Sequence, residues 1–199
     1  MNIIKLAEIN ILEIIEYLKN NKVIVAPTET AYGLLANALS DEAVKKVFEI
    51  KQREISKELS VFMRDIEMAK KYVEFNGEAM RLAEKYLPGP LTLVLKVKKK
   101  MPFVKNSLGI RISNNDIIKK IMENVDFPVT ATSANIANEK ACYSVDEIKA
   151  QFTNKEKQPD LVIDGGKLNF GCISTVIDLT GEKVKILRQG DIRILNIKY

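Results

Sequence analysis

The stretch Lys22-Val23-Ile24-Val25-Ala26-Pro27-Thr28-Glu29-Thr30-Ala31-Tyr32-Gly33-Leu34 decides how this chain is read. Residues 22–26 form an apolar, β-branched run of the length of a buried strand, and it discharges into a turn crowded with hydroxyls. In open α/β sheets ligands sit beyond the carboxyl ends of strands, so Thr28, Thr30 and Tyr32 are placed to grip a small polar substrate. Gly33 lets the backbone come close. The alternative is that Pro27 and Gly33 punctuate an ordinary turn, and the rest of the chain has to decide between the two.

Working outward, Asn10 caps a helix in which Ile11, Ile14, Ile15 and Leu18 recur at helical spacing. Downstream, Ser40 and Asp41 open a second helix with Val44, Val47 and Phe48 inward. Residues 59–63 read as a strand, Asp65 caps a short helix, and residues 77–87 form another helix, stopped by Pro88. Leu91, Leu93, Leu95 and Val97 alternate with more polar neighbours, the period of a half-buried strand. Residues 109–112, 127–131 and 161–163 read as strands, and 115–123 as a helix. Ser144 with Glu147 makes a capping box for the helix ending near Phe152. Strands over 175–179 and 184–187 flank Thr180-Gly181-Glu182, a hairpin turn. Early alternation of helix and strand followed by a closing hairpin predicts an α/β fold, one twisted, mixed β-sheet flanked by helices, over a single domain spanning residues 1–199.

The 199 residues, 46% of them hydrophobic, are enough for one substantial core. The chain has no long apolar run and its start lacks the order of a secretion signal, so a soluble, cytoplasmic protein with no membrane contact is expected. Cys142 and Cys172 make neither a CxxC pair nor a disulfide framework, and both are expected to be reduced and structural. The sequence contains no histidine, which removes Ser-His-Asp and Cys-His nucleophiles, histidine metal sites and the usual neutral-pH proton shuttle. No metal-ligand cluster stands out. The net charge of +5 suits phosphate, nucleotide or RNA contact, and solubility equally. A GxxxxGK[ST] loop is absent and Gly165-Gly166 lacks dinucleotide spacing, so any phosphate must be held by side chains.

Three cationic groups are candidates for that work. Lys51, Arg53 and Lys57 gather at a helix-to-strand junction, where they either neutralise a polyphosphate or face the helix macrodipole in solvent. Arg111, inside an apolar strand, needs a partner if buried, and a substrate carboxylate or a structural ion pair would serve. Arg188 closes another apolar strand, where taken alone it is an edge-strand charge. Thr130, Thr132, Ser133 and Asn135, with Ser174 and Thr175, add short neutral donors that orient a nucleotide or amino acid, or cap turns.

Taken in order, Pro27 to Leu34, Lys51-Gln52-Arg53, Pro88 to Leu93, Gly109-Ile110-Arg111, Ser133-Ala134-Asn135, Ser174-Thr175-Val176 and Leu187-Arg188-Gln189-Gly190 resemble the motifs of the YrdC-like family of threonylcarbamoyl-AMP synthases, over nearly the whole chain. The resemblance implies a YrdC-like fold with a concave basic cleft. It also implies a nucleotidyltransferase that converts L-threonine, bicarbonate or carbon dioxide, and ATP into threonylcarbamoyl-AMP and pyrophosphate, with Mg²⁺ accompanying ATP. The product serves threonylcarbamoyl-adenosine formation on tRNA through downstream transferase proteins. Carried over residue by residue, the family pattern puts Thr30, Arg111, the Ala131 backbone and Ser174 on threonine. Arg53, Lys57, Ser107, Ser133 and Arg188 fall to ATP, and Lys51 and Arg53 become the catalytic cations. The chain departs from the pattern at Glu54, Glu58, Phe62, Ser113, Ala137-Asn138 and Ala141. Phe62 and Ala141 are therefore not expected as polar contacts, and Glu58 beside Lys57 weakens the field there. Two other readings compete: a non-catalytic module binding tRNA or double-stranded RNA, and a carbamoyl-adenylate transferase.

Overall fold

A computed structural model describes residues 1–55 and 57–194. In chain order its elements are β1 (Asn2–Lys5), a 3-10 turn (Leu6–Glu8), α1 (Ile11–Lys19), β2 (Ile24–Ala26), β3 (Gly33–Leu35), α2 (Asp41–Lys51), β4 (Ser60–Phe62), α3 (Ile66–Lys70), α4 (Gly77–Tyr86), β5 (Leu91–Lys96), β6 (Ser107–Arg111), α5 (Asp116–Glu123), β7 (Val129–Ser133), α6 (Val145–Phe152), β8 (Leu161–Asp164), β9 (Thr175–Asp178) and β10 (Lys185–Arg188). The strands form one mixed sheet in the order β1-β8-β2-β3-β7-β4-β6-β5-β9-β10.

Helix starts follow the sequence closely, because each begins at a side chain able to accept from an orphan amide. Asn10, Ser40, Asp65, Asn76, Asn115 and Ser144 all cap in this way. At α6 the capping box is altered: Ser144 accepts from the Glu147 amide, but Glu147 reaches back to the amide of Tyr143 instead of that of Ser144. The periodic residues face inward as expected, with Ile14, Ile15 and Leu18 of α1 and Val44, Val47 and Phe48 of α2 in the core. No helix among the described residues is long and apolar enough to cross a membrane.

Two strands escape the sequence reading. β1 is a mostly exposed edge strand, parallel to β8, and offers no apolar run to detect. β3 is three residues long and begins at Gly33, too short to show a period. Its presence changes the meaning of the hydroxyl-rich turn, because β2 and β3 pair antiparallel with Val25 opposite Leu34. Residues 27–32 therefore form the tip of a β-hairpin, not a strand-to-helix crossover. β3 in turn pairs with β7, and β7 with β4, both antiparallel, so β7 is the seam between the two halves of the sheet.

The β9–β10 hairpin forms as predicted, with a register shift between Ile186 and Arg188. Such a bulge re-aims the following side chain. Residues beyond it fold back over the start of β9: the Gly190 amide donates to Thr175 Oγ1 at 3.0 Å, and the Asp191 amide to the Ile173 carbonyl at 3.1 Å. A Cβ on Gly190 would stand 2.3 Å from the Ile173 carbonyl oxygen and 2.6 Å from the Thr175 amide nitrogen. Both are backbone atoms that cannot swing away. Gly190→Ala is expected to lower unfolding free energy by about 1–3 kcal/mol, as overpacking does, and denaturant titration checks it.

Candidate functional site

At the hairpin tip, Thr28 is spent on the turn itself. Its Oγ1 donates to the Ala31 carbonyl at 2.7 Å and accepts from the Thr30 and Ala31 amides. Tyr32 is fully buried, and its hydroxyl donates to the Gly166 carbonyl at 2.7 Å while accepting from the Gly165 amide. Burial raises its pKa. Of the three hydroxyls singled out in this loop, two thus hold the loop together, and the Thr30 hydroxyl is the one aimed at a neighbouring cation. Gly33 permits the close packing: a Cβ there would sit 3.2 Å from Thr28 Cγ2.

That cation is Arg111, at the end of β6, opposite Phe62 of β4 in a parallel pair. Its guanidinium carbon lies 5.1 Å from the centre of the Phe62 ring and its NH2 group stands 3.4 Å from Thr30 Oγ1. Arg111 is 8% exposed, and it has the partner that burial demands: NH2 meets Glu29 Oε1 at 2.5 Å. The second Glu29 oxygen accepts from Ser113, whose hydroxyl oxygen also accepts from the Asn115 amide at the cap of α5. Between substrate carboxylate and structural ion pair, the fold supplies the ion pair itself. Arg111 Nε is nevertheless buried without a hydrogen-bond partner.

Across the cavity, Arg188 folds its guanidinium onto Ser174, with Nε donating to the carbonyl at 3.0 Å and NH2 to Oγ at 2.6 Å. Thr92 also donates to Ser174 Oγ, at 3.1 Å. With both donors received, Ser174 keeps its own hydroxyl hydrogen for another acceptor. Desolvation and the nearby charge of Arg111 lower the Arg188 pKa.

Lys51 and Arg53 part company. Gln52, in the left-handed conformation at φ 48°, ends α2 between them. Arg53 donates to the Glu58 carbonyl at 3.0 Å, its Nε is buried without a partner, and burial lowers its pKa. Lys51 is 2% exposed and turns beneath the loop after β7, where Nζ donates to the Ser133 carbonyl at 2.5 Å, the Asn135 carbonyl at 3.0 Å and Asn135 Oδ1 at 3.4 Å. Burial, with Arg53 adding, pulls its pKa down to about 7, while Cys142 works in the opposite sense.

A cavity of about 310 Å³ collects Thr30, Arg53, Arg111, Ala131, Ser133, Ser174 and Arg188 on one lining. Lys51, Lys57 and Ser107 are not part of it. Lys51 is absorbed by backbone carbonyls, Lys57 is exposed beside Ser56, which lies outside the described residues, and Ser107 donates to Glu58 at the rim. Phe62 and Ala141 line the cavity as apolar surface. Cys142 is buried with its thiol pushed up to about 12, but Cys172 lines the cavity, so only the first is a purely structural cysteine. Sequence reasoning passed over Glu29, Thr92, Tyr143 and Ile173. For Glu29 a signal existed, an acid in the turn that directly follows a buried strand.

A family model for Sua5, YciO and YrdC proteins, described as telomere recombination, matches residues 16–190. The chain belongs to this family. A Methanocaldococcus jannaschii relative, provisionally named as a threonylcarbamoyl-AMP synthase, is 40% identical over 201 residues, covering 96% of this chain and 94% of its own. Sua5 of Pyrococcus abyssi, solved in complex with L-threonine, superposes with a TM-score of 0.87 at 33% identity, covering 96% of this chain, which spans only 58% of that longer one. Escherichia coli YciO gives a TM-score of 0.81 at 27% identity, with 96% and 95% covered.

The placement of Lys51 predicts a pH signature. Its folded pKa lies below the ordinary lysine value, so between about 7 and 10.5 the unfolded chain holds a proton that the folded chain has released, and stability rises with pH in that window. Relative to Lys51→Met, the parent protein is expected to gain stability from pH 7 to pH 9 in denaturant unfolding. A constant difference would show that Lys51 stays protonated in the fold.

Proposed function

We propose that this chain is a threonylcarbamoyl-AMP synthase. The observation that carries the reading is the convergence of Thr30, Arg53, Arg111, Ser174 and Arg188, from distant segments, on one cavity of about 310 Å³. That volume is within the range of small-ligand sites. The P. abyssi relative bound to L-threonine supports an amino acid as one occupant.

In this reading the amine of threonine takes up bicarbonate with loss of water to give a carbamate. A carbamate oxygen then attacks the α-phosphorus of ATP, and pyrophosphate leaves. The chemistry asks for charge neutralisation and alignment of three reactants, with little proton traffic, which suits a chain without histidine. Arg111, Thr30, the Ala131 backbone and the free hydroxyl hydrogen of Ser174 hold the threonine end. Arg53, Ser133 and Arg188 face the nucleotide, and Arg53 neutralises charge at the phosphates. Lys51 supports from below by fixing the carbonyls of the Ser133–Asn135 loop. Mg²⁺ would arrive on the phosphate oxygens of ATP as their counter-ion. The adenylate would then pass to a transferase acting on tRNA.

Pyrophosphate release is expected only when threonine, bicarbonate and ATP are all present; equal turnover without threonine, or turnover with carbamoyl phosphate in place of threonine and bicarbonate, would reject the reading. Arg53→Ala and Arg188→Ala should each cut kcat/KM for ATP by about tenfold or more, the cost of one charge-assisted contact. Steady-state kinetics on the two variants checks this.

A further inference from the structure

We infer that Glu29, held by Ser113 behind the cavity wall, neutralises Arg111 and so sets an amino-acid end of the cavity apart from a phosphate end, acting as a specificity-determining positioning residue. This rests on the proposed function for the identity of the ligands but on geometry for the division itself. Arg111 and Arg188 are close enough for the charge of one to depress the pKa of the other, and Arg53 lines the same cavity. Three guanidinium charges, against the single carboxylate of Glu58 on the same lining, would favour a polyphosphate wherever it could reach them. Glu29 cancels one of them. Its carboxylate lies 2.5 Å from Arg111 NH2, with both side chains only 10% exposed, so solvent does little to screen the pair. The paired Arg111 stays on the lining but adds little net charge to it. Such a group can still orient a single carboxylate and attracts a multiply charged phosphate less than an unpaired arginine would.

Ser113 makes the arrangement rigid. Its hydroxyl donates to the Glu29 oxygen that Arg111 leaves free, and the same oxygen atom of Ser113 accepts from the Asn115 amide at the start of α5. Glu29 cannot rotate away without breaking a contact to a helix terminus. Both Glu29 oxygens are thus occupied, one by Arg111 and one by Ser113.

The test uses inorganic pyrophosphate as the probe, bound to the full chain and followed by calorimetry, beside steady-state kinetics. Glu29→Gln keeps the shape and removes the charge, and it is expected to bind pyrophosphate about tenfold more tightly than the parent while the KM for threonine rises by a similar factor. Glu29→Asp, which keeps the charge, should restore parental pyrophosphate affinity. Ser113→Ala leaves all charges in place, so its pyrophosphate affinity should match the parent while the KM for threonine rises several-fold at unchanged kcat. Unchanged pyrophosphate affinity in folded Glu29→Gln overturns the inference. If that variant does not fold, an unchanged threonine KM in Ser113→Ala overturns it instead. A parent that makes no pyrophosphate from the three substrates would defeat the proposed function, and the calorimetric contrast would still judge the division of charge.

Discussion

Three guanidinium groups share one small cavity, and the rest of the structure can be understood as what holds these like charges together. Burying them costs desolvation, which lowers the pKa of both Arg53 and Arg188, and the charge of Arg111 adds to the shift at Arg188. The fold meets that cost differently for each. Arg111 receives a carboxylate, Arg188 a carbonyl and a hydroxyl, and Arg53 a carbonyl. Arg53 and Arg111 each keep a buried Nε without a partner among the described residues.

The sheet is arranged to bear this load. β7 joins its two halves by antiparallel pairing on both sides, and the Thr130 hydroxyl inside it donates to the Leu34 carbonyl of β3 at 3.0 Å. The loop leaving β7 is cross-braced from below by Lys51, whose ammonium reaches three oxygens of Ser133 and Asn135. A cation that looked like a phosphate ligand is thus a strut, and the polar face it shapes belongs to neighbouring residues. Cavity lining and hidden support lie on either side of Gln52, because a single left-handed residue separates Arg53 from Lys51.

Much of the fold was legible in the sequence wherever a local rule was strong enough to act alone. Helix caps at Asn10, Ser40, Asp65 and Ser144 and the alternation in β5 are of this kind. β1 and β3 were not legible, since an exposed edge strand and a three-residue strand carry no period and exist only through their partners. At the site, residue types pointed to Arg53, Arg111, Ser174 and Arg188, and each lies on the cavity. What local sequence could not show was direction. Lys51, Lys57 and Ser107 sit in similar motifs yet point elsewhere, and the role of Glu29 depends on Arg111 and Ser113, more than eighty positions away.

The pairing of far-apart segments around the cavity also governs how the molecule assembles. Residues near positions 30, 53, 111, 174 and 188 share one lining only when both halves of the sheet are in place, so the site exists in the complete fold and carries the loop-closure cost of long-range contacts. Occupancy therefore selects the finished sheet alone, and by mass action a ligand at a hundred times its dissociation constant adds about 2.7 kcal/mol to the stability of that state. In this architecture recognition and structural integrity are thermodynamically the same event.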